Sequence, residues 1–256
     1  MSSPEYPEHV ARNVAIWTKT NAEYTGPSAR KAWTDELDWS VFGGHPESEL
    51  RALGDVRGLD AVDLGCGTAY LSAWLARQGA RPVGVDPTPA QLATARELQA
   101  EFGIEFPLVE AAAEDVPLPD ASFDLAVSQY GASIWADPAR WIPEAARLLR
   151  LDGSLVFLRN STLVTLCQSL EGATEQLQRP QRGLSRIEWP DTGEVEFHLP
   201  AGELIDVLHA SGFQLERLLE LYATDSAETH GYYDFVTADW GRKWPAEELW
   251  IARKRS

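Results

Sequence analysis

Between residues 61 and 158 the chain repeats one pattern: a short apolar run, a break, then apolar residues at helical spacing. Ala61-Val62-Asp63-Leu64 is the first run, closed by Gly65-Cys66-Gly67. Tyr70, Leu71, Trp74 and Leu75 then recur at helical intervals up to Gln78-Gly79. Pro82-Val83-Gly84-Val85 is a second run, ending in Asp86, and Thr88 can cap a helix from Pro89 through Leu92, Ala95, Leu98 and Phe102. Ile104 to Val109 reads as a weaker third strand and Phe123 to Ser128 as a fourth. Pro138 to Leu149 reads as a helix and Ser154 to Leu158 as a fifth strand. Strands separated by helices of about 10–15 residues imply right-handed βαβ units and a mostly parallel, doubly wound sheet.

The flanks are less regular. Residues 1–58 read as helical and Trp-rich, with a short helix from Pro46 to Leu53, and form a candidate N-terminal lid. Residues 59–160 are the core. Residues 161–199 break the rhythm, with a polar helical stretch expected at Glu171 to Gln178, and form a candidate cap over a substrate. Residues 200–256 complete an expected seven-stranded sheet: a helix through Leu204 and Leu208, a strand from Phe213 to Leu221, a helix carrying Trp240 and Trp244, and a last strand at Leu249 to Ala252. The pattern leaves the direction of that last strand open.

Net charge and leader composition narrow the partners. A formal charge of -17 opposes a polyanion, so nucleic acid is not the expected substrate. The two cysteines, Cys66 and Cys167, have neither CxxC spacing nor a neighbouring His, so no metal is expected. Residues 1–13 contain no apolar signal region, and no run approaches the roughly 20 apolar residues of a membrane span. A cytoplasmic enzyme, monomeric or homodimeric, working on a small molecule is the default.

The stretch Val62 to Ala69 says most about chemistry. A strand running into two near-adjacent glycines and then a helix makes a turn that a ligand can approach closely, at the carboxyl ends of the strands. Asp86, ending the next strand, lies beside that turn and can accept hydrogen bonds from two ribose hydroxyls. A dinucleotide site is the natural rival, but Tyr70 stands at its third glycine position and is too large for the packing required there.

Four motifs in order then carry a resemblance: Val62-Asp63-Leu64-Gly65-Cys66-Gly67-Thr68; Gly84-Val85-Asp86; Ala113-Glu114-Asp115-Val116-Pro117-Leu118-Pro119-Asp120-Ala121-Ser122-Phe123-Asp124; and Leu148-Leu149-Arg150-Leu151-Asp152-Gly153-Ser154-Leu155. Over about residues 58–160 the chain resembles the class I S-adenosylmethionine-dependent methyltransferases, and more narrowly those with a methyltransferase type 11 domain. The resemblance implies S-adenosylmethionine as cofactor and places Gly65, Cys66 and Gly67 against its aminoacyl part, with Asp63 near the amino group. It places Asp86 and Pro87 at the ribose and Glu114 or Asp115 beside the adenine. Ser128, Gln129 and Tyr130 follow the fourth strand and would face the sulfonium. Many relatives carry an Asp before the Ala-Glu pair where this chain has Ala112, so which acid reads the adenine stays open. Cys66 reads as a small packing residue of that loop, with no partner to activate its thiol.

Tyr24, Trp33 and Trp39 are candidates to cover the sulfonium, since aromatic faces attract cations. His198, His45 and His230 are the candidate general bases, with His198 and Tyr130 favoured as catalytic residues. The expected activity is methyl transfer to oxygen, nitrogen or sulfur, or less readily carbon, of a small metabolite. The rivals are a cofactor-binding sensor or scaffold, and a protein or RNA methyltransferase.

Overall fold

A computed structural model describes residues 6–256; the first five positions of the N-terminal segment lie outside the described residues. The chain begins with α1 (Glu8–Thr20), which passes through a π-turn (Asn21–Thr25) into α2 (Gly26–Thr34), followed by the short α3 (Glu47–Leu50). The repeating part runs β1 (Asp60–Leu64), α4 (Tyr70–Arg77), β2 (Arg81–Asp86), α5 (Pro89–Phe102), β3 (Leu108–Glu110), β4 (Phe123–Gln129), α6 (Ala132–Trp135), α7 (Pro138–Leu148) and β5 (Leu149–Asn160). Then come α8 (Thr162–Cys167), two small hairpins, β6–β7 (Gln168–Ser169, Gly172–Ala173) and β8–β9 (Arg186–Glu188, Val195–Phe197), and α9 (Ala201–Ala210). β10 (Phe213–Leu221), α10 (Ala238–Gly241) and β11 (Glu247–Lys254) complete it.

Seven strands form one sheet in the order β10-β11-β5-β4-β1-β2-β3. The chain builds outward from β1 to β3, then crosses back and builds the other way from β4, so β1 and β4 flank the point where the winding reverses. Ligands bind at that crevice in sheets of this kind. β11, whose direction the sequence pattern leaves open, is antiparallel to both neighbours, β5 and β10.

Both faces of the sheet are covered, which explains the nearly unbroken apolar runs of its strands. Along β5, Leu155 and Phe157 pack beneath α7 and α9 with Trp141, Ile142, Leu204 and Leu208, while Val156 and Leu158 face the other way, toward Leu71, Trp74 and Leu75 of α4. The period-two alternation thus feeds two separate cores.

The insertion departs from expectation. Glu171 to Gln178 is not helical; the helix of this region is α8, earlier in the chain, capped by the Ser161 hydroxyl accepting from Val164 N. The apolar residues Val164 and Cys167 bury against Val236 and Trp240, whereas the 171–178 stretch has no apolar stripe to bury. Gly172, at φ +109°, instead turns the β6–β7 hairpin, and Ala173 N donates to Phe235 O.

Candidate active site

At the carboxyl end of β1 the backbone N–H groups of Gly65 and Cys66 both donate to Val85 O, at 2.8 and 3.0 Å, folding the loop over β2. Gly65 (φ +77°) and Gly67 (φ +55°) serve different ends. A Cβ on Gly65 would stand 2.5 Å from Ala132 N, so this glycine makes room for the turn that follows β4. A Cβ on Gly67 would meet nothing nearer than the Gln91 amide at 3.9 Å, so its side of the loop is open.

Asp86 is buried at the tip of β2, and its two oxygens are braced by backbone donors: Oδ2 accepts from Gly67 N and Oδ1 from Thr88 N, both at 2.8 Å. Burial pushes its carboxyl above the usual carboxylate range, against the pull of those two hydrogen bonds. Asp63 is also buried, accepts from Ser72 Oγ at 2.8 Å, and is pushed up to about 7 by desolvation, with the nearby Asp86 charge adding to the effect. Neither acid has a cationic partner among the described residues, an unusual state for buried carboxylates.

These groups open onto one cleft of about 1120 Å³. Asp63, Gly65, Cys66, Gly67, Asp86, Pro87, Glu114, Gln129, Tyr130 and Tyr24 all line it. Glu114 Oε1 accepts from Asp137 N (2.8 Å) and pairs with His9 Nε2 of α1 (2.7 Å), while its Oε2, near Arg140, has no hydrogen-bond partner among the described residues. Gln129 donates from Nε2 to Asp38 O, leaving its buried Oε1 similarly unpartnered.

Tyr24 stacks on Tyr232 with ring centroids 4.3 Å apart and meets His230 Nε2 through its hydroxyl at 2.9 Å. His230 Nδ1 accepts from Tyr232 N and Tyr233 N, and burial lowers its pKa, so the ring is neutral with its proton on Nε2, donated to Tyr24. Both nitrogens are occupied, and His230 has no lone pair for an incoming substrate.

Tyr130 sits at φ +53°, a strained region for a bulky residue that is found preferentially at functional sites. Its hydroxyl donates to the buried Glu247 and accepts from Val41 N, and burial beside that carboxylate holds its pKa far up. It therefore keeps its proton, and the proton points away from the cleft.

Other expected residues lie elsewhere. Trp39 is fully buried, its indole N–H donating to Glu47 at 2.7 Å within the core beneath α4, so it does not reach the cleft. Trp33 is buried between Phe102 and Phe106, with its N–H on Thr68 O; it buttresses the glycine loop from behind. Ser128 Oγ donates to Leu64 O and ties the end of β4 to the end of β1. Asp115 is exposed and off the cleft, leaving Glu114 as the acid of that pair at the site. His45 bonds Tyr222 O outside the cleft. His198 is sealed behind the wall, with Glu196 between it and the opening.

Sequence reasoning passed over Glu196 and the aromatic wall of Trp17, Trp135, Trp189, Tyr232, Tyr233 and Phe235. For Glu196 the available signal was its position two residues before His198 in an extended segment, a spacing that puts both side chains on one side of the chain.

An open glycine turn, a braced acid at the next strand end and two acceptors without a hydrogen-bond partner among the described residues, Gln129 Oε1 and Glu114 Oε2 (3.6 Å from Arg140), fit a cofactor with a ribose, an exocyclic amine and an ammonium group. Residues 62–157 match the methyltransferase domain family. The chain is 30% identical over 179 residues to a ubiquinone biosynthesis O-methyltransferase of Azorhizobium caulinodans, spanning 70% of this chain and 68% of that one. It is 40% identical over 100 residues to 2-methyl-6-phytyl-1,4-hydroquinone methyltransferase 2 of Oryza sativa subsp. japonica, 38% of this chain and 28% of that one. A solved S-adenosylmethionine-dependent methyltransferase from Mesorhizobium loti superposes with a TM-score of 0.65 at 27% identity, covering 80% of this chain and 95% of that one. The chain belongs to the class I S-adenosylmethionine-dependent methyltransferases, with S-adenosylmethionine as its methyl donor. Among the described residues no helix is long and apolar enough to cross a membrane.

Proposed function

We propose that the acceptor is a small, neutral or cationic hydroxylated aromatic compound, methylated on oxygen. The observation that carries this reading is the cleft itself. Its volume of about 1120 Å³ exceeds the roughly 300–1,000 Å³ that usually serves one small ligand, leaving room for an acceptor beside the cofactor. The wall formed by the N-terminal segment, the insertion and residues 230–235 is aromatic, suited to stacking a flat ring. Lys31 is the only lysine or arginine among the described lining residues, against Asp191, Glu194, Glu196 and Asp234, which disfavours an anionic acceptor. Among the relatives' names, one is an O-methyltransferase, which supports the oxygen, and one acts on a hydroquinone, which supports the hydroxylated aromatic acceptor.

When bound, the cofactor supplies an electrophilic methyl group on a sulfonium. In this reading Asp86 holds the ribose hydroxyls, Asp63 and Gln129 Oε1 receive the ammonium, Glu114 Oε2 receives the adenine amine, and Tyr24 covers the site. Transfer of labelled methyl from S-adenosylmethionine into a panel of catechols, hydroquinones and aromatic amines, beside a cell extract, tests it. Product on phenolic oxygen is expected. Label only in protein or RNA, or cofactor binding with no product at all, would replace this reading with a macromolecular acceptor or a sensor.

The Asp63 assignment has a pH signature. In the cofactor-free protein Asp63 is protonated below about 7, whereas a neighbouring ammonium favours its ionised form, so binding expels a proton. Affinity for S-adenosylmethionine is therefore expected to fall as pH drops from about 7 to about 5.5, with a slope approaching roughly tenfold per unit. Calorimetry in buffers of different ionisation enthalpy checks this, and an affinity flat across that window would remove Asp63 from the ammonium.

A further inference from the structure

Building on the phenolic reading, we propose that Glu196 is the catalytic base that takes the acceptor's hydroxyl proton, and that His198 and Thr165 are positioning residues that aim it. β9 lies between α1, where the Asn13 side chain bonds both Val195 N and Val195 O, and α6, the turn that follows β4. Val195, Glu196 and Phe197 are all buried, and of the three Glu196 lines the cleft, together with Ala132 and Trp135 of α6. Glu196 thus shares the cleft with the residues that follow the fourth strand, where Ala132 N packs against Gly65 of the glycine turn.

His198 stands two residues on, buried, with Nε2 2.6 Å from Glu196 Oε2 and Nδ1 3.3 Å from Thr165 Oγ1. Burial holds the imidazole below its usual pKa, so the neutral ring carries one proton; placed on Nε2, it is donated to Glu196 Oε2, and the Thr165 hydroxyl serves Nδ1 or Ser161 O. Glu196 Oε1 makes no hydrogen bond among the described residues, and the residue lines the cleft. The charges around the pair are Glu194 on the same hairpin, Arg179 from the insertion, and Arg159 and Glu248 from β5 and β11. In the transfer a bond forms between the acceptor oxygen and the methyl carbon, the carbon–sulfur bond breaks with its electron pair remaining on sulfur, and the hydroxyl proton passes to Glu196 Oε1.

The test uses phenols of graded acidity with the full chain at about pH 7.5. Glu196→Gln is expected to lower kcat about 100-fold or more for weakly acidic catechols yet stay within about threefold of wild type for a nitrophenol that ionises unaided. S-adenosylhomocysteine affinity, read by calorimetry, should change less than about twofold and reports that the variant is folded. His198→Asn should lower kcat less and move the acidic limb of the pH profile. A Glu196→Gln loss that is equal for all phenols, or absent, overturns the proposal. If wild type methylates no phenol, the acceptor reading fails, and the pair is then judged by nitrogen-15 spectra of His198 with S-adenosylhomocysteine bound. A protonated Nε2 whose signal shifts in Glu196→Gln supports the pair, and a ring insensitive to that substitution overturns it.

Discussion

Asp86→Ala is expected to raise the Kd for S-adenosylmethionine by about 10- to 100-fold, with the fold intact. The carboxylate has two tasks. It accepts from Gly67 N and Thr88 N, fixing the glycine turn and the start of α5 relative to each other, and in the proposed reading its remaining lone pairs accept from the ribose hydroxyls. Each charge-assisted hydrogen bond of this kind is worth about 1.5–3 kcal/mol. Asp86→Asn preserves shape but offers a single acceptor oxygen and should fall between the two. Calorimetric binding within about twofold of wild type for Asp86→Ala would remove this residue from the site.

The second large effect separates two glycines that look alike in sequence. Gly65→Ala forces a left-handed φ on alanine and drives its Cβ to 2.5 Å from Ala132 N, a backbone atom that cannot swing aside. Strain and overpacking together should cost about 3–5 kcal/mol, or roughly 10 °C in Tm. Gly67→Ala meets no neighbour inside 3.9 Å and should cost the fold only about 1 kcal/mol. Its methyl group instead enters the open side of the loop, which the proposed reading gives to the cofactor, so binding should suffer while Tm barely moves. Thermal melts of both variants, paired with binding, give a crossed pattern. Equal melting temperatures would show that Gly65 is not the packing residue described above.

What the sequence made legible was local in origin. The glycine turn, Asp63 and Asp86 sit within one βαβ unit, where spacing alone sets their positions, and the apolar periodicity of β1 to β5 follows from burial on both faces. The features it hid depend on contacts remote in the chain. Aromatic character alone does not place a ring. Tyr24, Trp33 and Trp39 look equivalent as aromatic cover, yet Glu47 captures the indole of Trp39 and Thr68 O that of Trp33, and of the three only Tyr24 faces the cleft. His198 stands out as a titratable residue, but Thr165, remote in the chain, and Glu196, two residues earlier, decide which of the pair meets the opening. The helix expected at Glu171 to Gln178 gave way because Gly172 accepts a backbone conformation other residues avoid, in a hairpin stabilised by Phe235.

The placement of β11 bears on how the molecule assembles. It is the later of the two C-terminal strands yet lies inside the sheet, between β5 and β10. Synthesis on a ribosome therefore delivers β10 before any partner exists for it, and that strand must wait, unpaired, until residues 247–254 have emerged. Because β11 also brings Glu247 to Tyr130, the partner that orients that tyrosine arrives only with the strand that closes the sheet, so this side of the cleft is completed together with the fold and not ahead of it.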